Sequence, residues 1–270
     1  MIKKIESIQN DRIKELIKLR EKKSYREQTG FFLIEGEREF LRACEYGKKI
    51  VSVFYQPELI SQSIKDTIKN MNVELIEVSQ TVFSKVSVRE DSGGILGVVK
   101  KDNLGIEELR SILKNTSSPF ILIVEQVEKP GNLGAILRTC DGAGVDLVIV
   151  NNSVDWSNPN CIRSSLGGVF TVPVAELSCK DTLSLCKEFN IKIVSTTPNT
   201  DSFYYDEDLS GPVAVVVGAE STGLSEFWLE NSNVNVKIPM EKTIDSLNVS
   251  VATSILLYEV LRQRKITSRE

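Results

Sequence analysis

Hydrophobic and polar positions divide this chain into two stretches of different character. Over residues 6–23, Ile8, Ile13, Leu16, Ile17 and Leu19 recur at helical spacing, which predicts a helix with one buried stripe. Short apolar runs then alternate with amphipathic ones. Residues 31–35, 49–55, 73–78 and 95–99 read as strands, and 37–46, 61–71 and 81–86 as helices, with Gly47 ending one and Ser61 capping another. From residue 120 onward the pattern changes. Near-continuous Val/Ile runs at 120–124, 146–150, 191–195, 213–217 and 234–238 predict strands buried on both faces, hence a parallel sheet flanked by helices. The stretch 246–264, with Val249, Ala252, Ile255, Leu256 and Leu261, predicts a closing helix. Residues 100–118 are polar with one short helical patch, and the domain boundary is expected there.

The expected class is therefore α/β. A small α/β domain is expected over 1–100, a linker over 101–117 and a larger domain with a parallel sheet over 118–270. A length of 270 residues suffices for two ordinary domains. No apolar run reaches the roughly 18 residues of a membrane helix, and the first residues lack a signal-peptide core, so a cytoplasmic protein without a membrane partner is expected.

Composition narrows the chemistry. The five cysteines (Cys44, Cys140, Cys161, Cys179, Cys186) show no Cys-x-x-Cys spacing, which argues for reduced thiols and against zinc. Histidine is absent, which removes the commonest general base, the commonest transition-metal ligand and any serine–histidine triad. No metal is expected. A net charge of −4 argues against a nucleic-acid partner, but residues 1–26 carry nine Lys/Arg against four acids. That local excess either grips phosphates or lines the solvated face of a helix; charge alone does not choose.

Gly142-Ala143-Gly144 precedes a strand instead of following one, so it reads as a helix C-cap and not as a dinucleotide fingerprint. Three other segments sit at strand ends. Pro130-Gly131-Asn132-Leu133-Gly134-Ala135-Ile136-Leu137-Arg138-Thr139 begins with a turn, after which Asn132 can cap a helix carrying Arg138 on the side of Gly134. Gly218-Ala219-Glu220-Ser221-Thr222-Gly223 follows a buried strand, with two glycines bracketing a carboxylate. Ile238-Pro239-Met240, then Ser246-Leu247-Asn248, leads into the last helix. Each has a plain structural reading as turn, connection or cap. Together they occupy the edge where open α/β sheets bind ligands.

In order and spacing, these segments resemble the three signature motifs of the SpoU/TrmH family of SPOUT methyltransferases, over roughly residues 118–262. Arg163-Ser164-Ser165-Leu166-Gly167-Gly168 is similar to the family's short Ser/Gly stretch, and residues 31–38 resemble the start of its accessory substrate-binding domain. The resemblance implies an α/β trefoil-knot catalytic domain behind a small α/β sandwich that contacts RNA. It implies S-adenosyl-L-methionine as cofactor, bound by Thr196, Gly218, Gly223, Ile238, Met240, Ser246 and Leu247. The reaction implied is methyl transfer to a ribose 2′-hydroxyl, most often in 23S ribosomal RNA, with tRNA and antibiotic-resistance methylation as alternatives. Arg138, Asn132, Glu220, Ser246 and Asn248 are the implied catalytic set. Arg138 would bind the target phosphate and stabilise a developing alkoxide, because arginine stays protonated; the identity of the proton acceptor stays open. Asn132 would position the ribose and serve the partner's site, implying a homodimer, and Glu220 would orient Arg138 or the substrate. One departure is Lys242, where the family usually has glycine. Two rivals are methylation of a base, for which Cys140 is the nearby thiol, and a non-catalytic RNA-binding module.

Overall fold

Serine side chains cap three of the helices in the computed structural model, which describes residues 3–88, 93–102, 104–241, 243 and 246–267. Lys242 lies outside them. In the first unit, β1 (Lys3–Ile5) leads to α1 (Asp11–Glu21) and α2 (Lys23–Thr29), then β2 (Phe31–Glu35), α3 (Glu37–Glu45), β3 (Ile50–Tyr55), α4 (Gln62–Lys69), β4 (Glu74–Val78), α5 (Gln80–Val86) and β5 (Ile95–Lys100). As the sequence suggests, Ser61 caps α4 by accepting from Ile64 N at 3.3 Å. The expected 6–23 helix is shorter. The Asn10 side chain accepts from Arg12 N and starts α1 at Asp11, so Ile8 lies outside the helix and is exposed, while Ile13, Leu16 and Leu19 fill the core. An extended Lys22 then breaks the helix before α2.

The strands of this unit form one mixed sheet, ordered β1-β4-β3-β5-β2. Its parallel pairs are β1–β4 and β4–β3, and its antiparallel pairs are β3–β5 and β5–β2. Residues 155–170 also pack in this unit, and within them α8 spans Pro159–Ser164. Asp155 and Arg26 form a buried ion pair at 2.8 Å, and Phe32 meets Trp156 edge to face.

The second unit comprises residues 103–154 and 171–270. Its elements are α6 (Ile106–Lys114), β6 (Phe120–Glu125), α7 (Pro130–Ala143), β7 (Leu147–Asn151), β8 (Val174–Glu176), α10 (Cys179–Glu188), β9 (Lys192–Thr196), β10 (Val213–Val217), α11 (Glu226–Asn231), β11 (Val234–Val236) and α12 (Val249–Thr267), with α9 (Gly168–Thr171) at the junction of the segments. The six strands are all parallel and ordered β11-β9-β10-β6-β7-β8. Every residue of β6, β7 and β10 is buried, as continuous Val/Ile runs require of strands covered on both sides. Periodicity gives no sign of β8, which has three residues behind Pro173. The expected linker holds α6, whose Leu109 and Leu113 are buried in the core of this unit with Ile121, Ile149 and Trp228. Gly144, at φ 74°, ends α7 in the left-handed conformation that its reading as a C-cap requires.

Candidate active site

In a parallel sheet all carboxyl ends lie on one edge, so the loops leaving adjacent strands share a ledge. Here β11, β9, β10 and β6 are consecutive, and each of the three motif segments leaves from one of them. After β6, Gln126 turns the chain at φ 53°, its N–H donating to the Asn151 carbonyl at 3.0 Å. Pro130 opens α7, with Lys129 as its N-cap. Asn132 is therefore not the cap that the sequence suggests; it sits in the first turn. Since no cap bond occupies its amide, that amide can reach outward.

It reaches the second motif. Asn132 Nδ2 donates to Glu220 Oε1. Asn132 Oδ1 in turn accepts from Asn248 Nδ2 at 3.3 Å. Asn248 is the cap of α12: its Oδ1 accepts from Ser250 N at 3.0 Å and Ser250 Oγ at 2.7 Å, and its carbonyl takes the N–H groups of Val251 and Ala252. Its reading as a cap and its place among the motif residues thus hold together. One polar chain, Glu220–Asn132–Asn248, joins the three segments.

The second loop is tight. Ala219 and Gly223 exchange backbone hydrogen bonds at 3.1 and 3.0 Å, with Gly223 at φ 70°. The return strand crosses Gly218 so closely that a Cβ there would overlap the Gly223 carbonyl group and sit 2.5 Å from the Leu224 nitrogen. Only glycine fits. Thr196 ends β9, paired with Val236 of β11, and its hydroxyl donates to the Val216 carbonyl at 3.0 Å. Ile238 is half-buried, while Met240, Ser246 and Leu247 are exposed in the third segment.

Arg138 lies on α7 beyond Asn132, exposed, and among the described residues its guanidinium has no hydrogen bond or ion pair. Glu220, expected to orient Arg138 or the substrate, here accepts from Asn132 through Oε1. Cys140, the thiol nearest in sequence, is fully buried, and burial pushes it well above the ordinary thiol range. A thiol so buried does not suit attack on a pyrimidine carbon.

Sequence reasoning missed Glu125, a buried carboxylate at the end of β6. It accepts from Ser225 N and Oγ at 2.8 and 2.7 Å and from Cys179 Sγ at 3.6 Å. Its one trace in the sequence is an acid ending the apolar run Phe-Ile-Leu-Ile-Val-Glu, a pattern that ordinarily marks the surface. The N-terminal basic excess is also less free than its count suggests. Arg26 is buried on Asp155; Lys3 and Arg12 pair with Glu74, Lys4 with Glu6, Lys14 with Asp11 and Lys23 with Glu27. Lys18 lies over the Tyr25 ring, and Arg20 donates to carbonyls of residues 85–87.

Comparison with known proteins gives these features a family. Residues 119–258 match the SpoU rRNA Methylase family, and residues 10–97 match the MRM3-like substrate binding domain. The chain is 40% identical to the 23S rRNA (guanosine-2′-O-)-methyltransferase RlmB of Pectobacterium atrosepticum over 63% of its own length and 71% of that protein. It is 30% identical to the 23S rRNA (guanosine(2553)-2′-O)-methyltransferase RlmP of Bacillus subtilis, over 96% of this chain and 99% of that one. A crystal structure of an AdoMet-bound rRNA methyltransferase from Sinorhizobium meliloti superposes with a TM-score of 0.86 at 25% identity, covering 97% of this chain and 98% of that one. The chain belongs to the SpoU rRNA methylase family, as an S-adenosylmethionine-dependent RNA 2′-O-methyltransferase.

Proposed function

We propose that this chain methylates a guanosine ribose of 23S ribosomal RNA in the cytoplasm, as a homodimer, with residues 1–100 gripping the RNA and residues 118–270 performing the transfer. The observation that carries the site assignment is the side-chain relay Glu220–Asn132–Asn248, which ties the three motif loops together on the helix that bears Arg138. The backbone crossing at Gly218 gives the second loop a tight, glycine-dependent shape at the carboxyl end of β10, which suits a cofactor read by main-chain groups. When bound, the cofactor supplies a sulfonium-activated methyl group. Thr196, Gly218, Gly223, Ile238, Met240, Ser246 and Leu247 would hold it.

The remaining work belongs to this chain. The 2′-hydroxyl must be aligned, and negative charge must be stabilised as its proton leaves. Arg138, exposed and without a partner among the described residues, is suited to a target phosphate and a developing alkoxide. Asn132 and Asn248 offer amides for the ribose, and Glu220 holds the Asn132 amide.

Two features support the remaining parts. The match of residues 10–97 to a substrate-binding domain, and relatives named for 23S guanosines, favour ribosomal RNA over tRNA. On α12, Val251 and Tyr258 stand 48% and 51% exposed, seven residues apart on one face. A second copy of the chain is the partner that an isologous face of this kind fits. Replacing Tyr258 by Glu should shift the protein from dimer to monomer in sedimentation; a wild-type monomer would contradict the dimer.

The reaction is tested by labelling 23S RNA with radioactive S-adenosylmethionine and digesting it to nucleosides. Label in 2′-O-methylguanosine is expected; label in a base-methylated nucleoside, or transfer to tRNA alone, would refute the assignment.

A further inference from the structure

We propose that Glu125 is a positioning residue for the cofactor loop, acting through Ser225. This rests on the S-adenosylmethionine reading above.

Glu125 is the one polar residue of β6 and is 2% exposed. A carboxylate at such a place costs stability unless partners satisfy it. Its partners come from two other segments. Ser225 donates both its N–H and its hydroxyl, and Cys179, the first residue of α10, donates its thiol. Burial, and then the carboxylate itself, push the Cys179 thiol up, which keeps it a donor.

Ser225 is the critical partner because of what precedes it. Residues 218–224 double back so that Gly223 and Leu224 lie against Gly218, leaving no space for a Cβ. Ser225 follows directly on that crossing and caps α11. Two hydrogen bonds from Ser225 to one buried carboxylate fix the exit of the loop to the end of the neighbouring strand β6. The entrance is fixed by β10, and the Ala219–Gly223 bonds close the loop. The same loop presents Glu220 to Asn132. Without Glu125 the exit would lose its anchor, a part-buried N–H would lose its acceptor, and the crossing over Gly218 would relax. Displacements near 1 Å are enough to weaken an aligned site about 100-fold. Glu125 touches neither reacting group, so its effect must appear first in cofactor affinity.

The test uses full-length protein and four chains: wild type, Glu125→Ala, Glu125→Gln and Ser225→Ala. S-adenosylmethionine affinity is measured by calorimetry, RNA affinity by filter binding and folding by thermal melting. Glu125→Ala should weaken cofactor binding about tenfold or more, the scale of one lost charge-assisted hydrogen bond, while RNA affinity holds. Glu125→Gln, whose amide oxygen can still accept the Ser225 N–H, should recover most of that loss. Ser225→Ala keeps the main-chain bond and should fall between. If Glu125→Ala does not fold, Ser225→Ala decides. A folded variant with a lower melting temperature but unchanged cofactor affinity would overturn the inference. A wild-type chain without cofactor affinity would overturn the functional reading itself, a distinguishable result.

Discussion

Asn132 donates a hydrogen bond to Glu220, 88 residues away in the chain, and accepts one from Asn248, 116 residues away. The three side chains come from the segments that follow β6, β10 and β11. Groups in one network respond together. Asn132→Ala and Asn248→Ala should each lower methyl transfer about tenfold or more, and the double variant should fall short of the product of the two. Single-turnover rates for the four chains measure this. Strictly multiplicative losses would show that the amides work independently.

Gly218 tolerates no side chain. Its Cβ would meet main-chain atoms of Gly223 and Leu224, which cannot swing aside as a flexible side chain would. Gly218→Ala should cost about 1–3 kcal/mol of stability through forced displacement of the loop. S-adenosylmethionine binding by the folded protein should fall with it. Chemical denaturation and calorimetry on the same sample check both effects.

Acid stability has one clear local contributor in the first unit. Side-chain hydrogen bonds from Arg12 and Lys3 hold the Glu74 carboxyl down at about 2, below its ordinary 4.5. A depressed carboxylate stabilises the fold above its unfolded value, and the benefit disappears as pH falls through the folded value. The stability difference between wild type and Glu74→Gln should be constant above pH 4.5 and shrink from there toward pH 2. The pair is partly exposed, so about 1 kcal/mol or less is at stake, and added salt should reduce it. Denaturation curves across that range measure it.

Much of this architecture is legible in the residues. Runs such as 213–217 announce buried parallel strands because both faces are apolar, and Ser61 announces a helix start because its hydroxyl replaces a missing backbone acceptor. The three motif segments can be read individually. Their convergence cannot, because no periodicity encodes the strand order β11-β9-β10-β6. Short elements escape for another reason: β8, with three residues, carries too little pattern to register. Asn132 misleads because a residue good at capping follows a Pro-Gly turn, yet Pro130 already occupies the first helical position. Glu125 escapes because burial is a tertiary fact; a charged residue after an apolar run ordinarily marks the surface. The basic N-terminus misleads similarly, since counting cations does not show that Arg26 is spent inside the fold on Asp155.

The most direct test falls on Arg138, the exposed cation on the helix that carries Asn132. Arg138→Ala is assayed by calorimetry with S-adenosylmethionine and by single-turnover transfer to 23S RNA. Cofactor binding should stay at the wild-type level while transfer falls at least ~100-fold. Transfer at the wild-type rate would contradict the proposal that these loops converge to present a ribose hydroxyl beside that guanidinium.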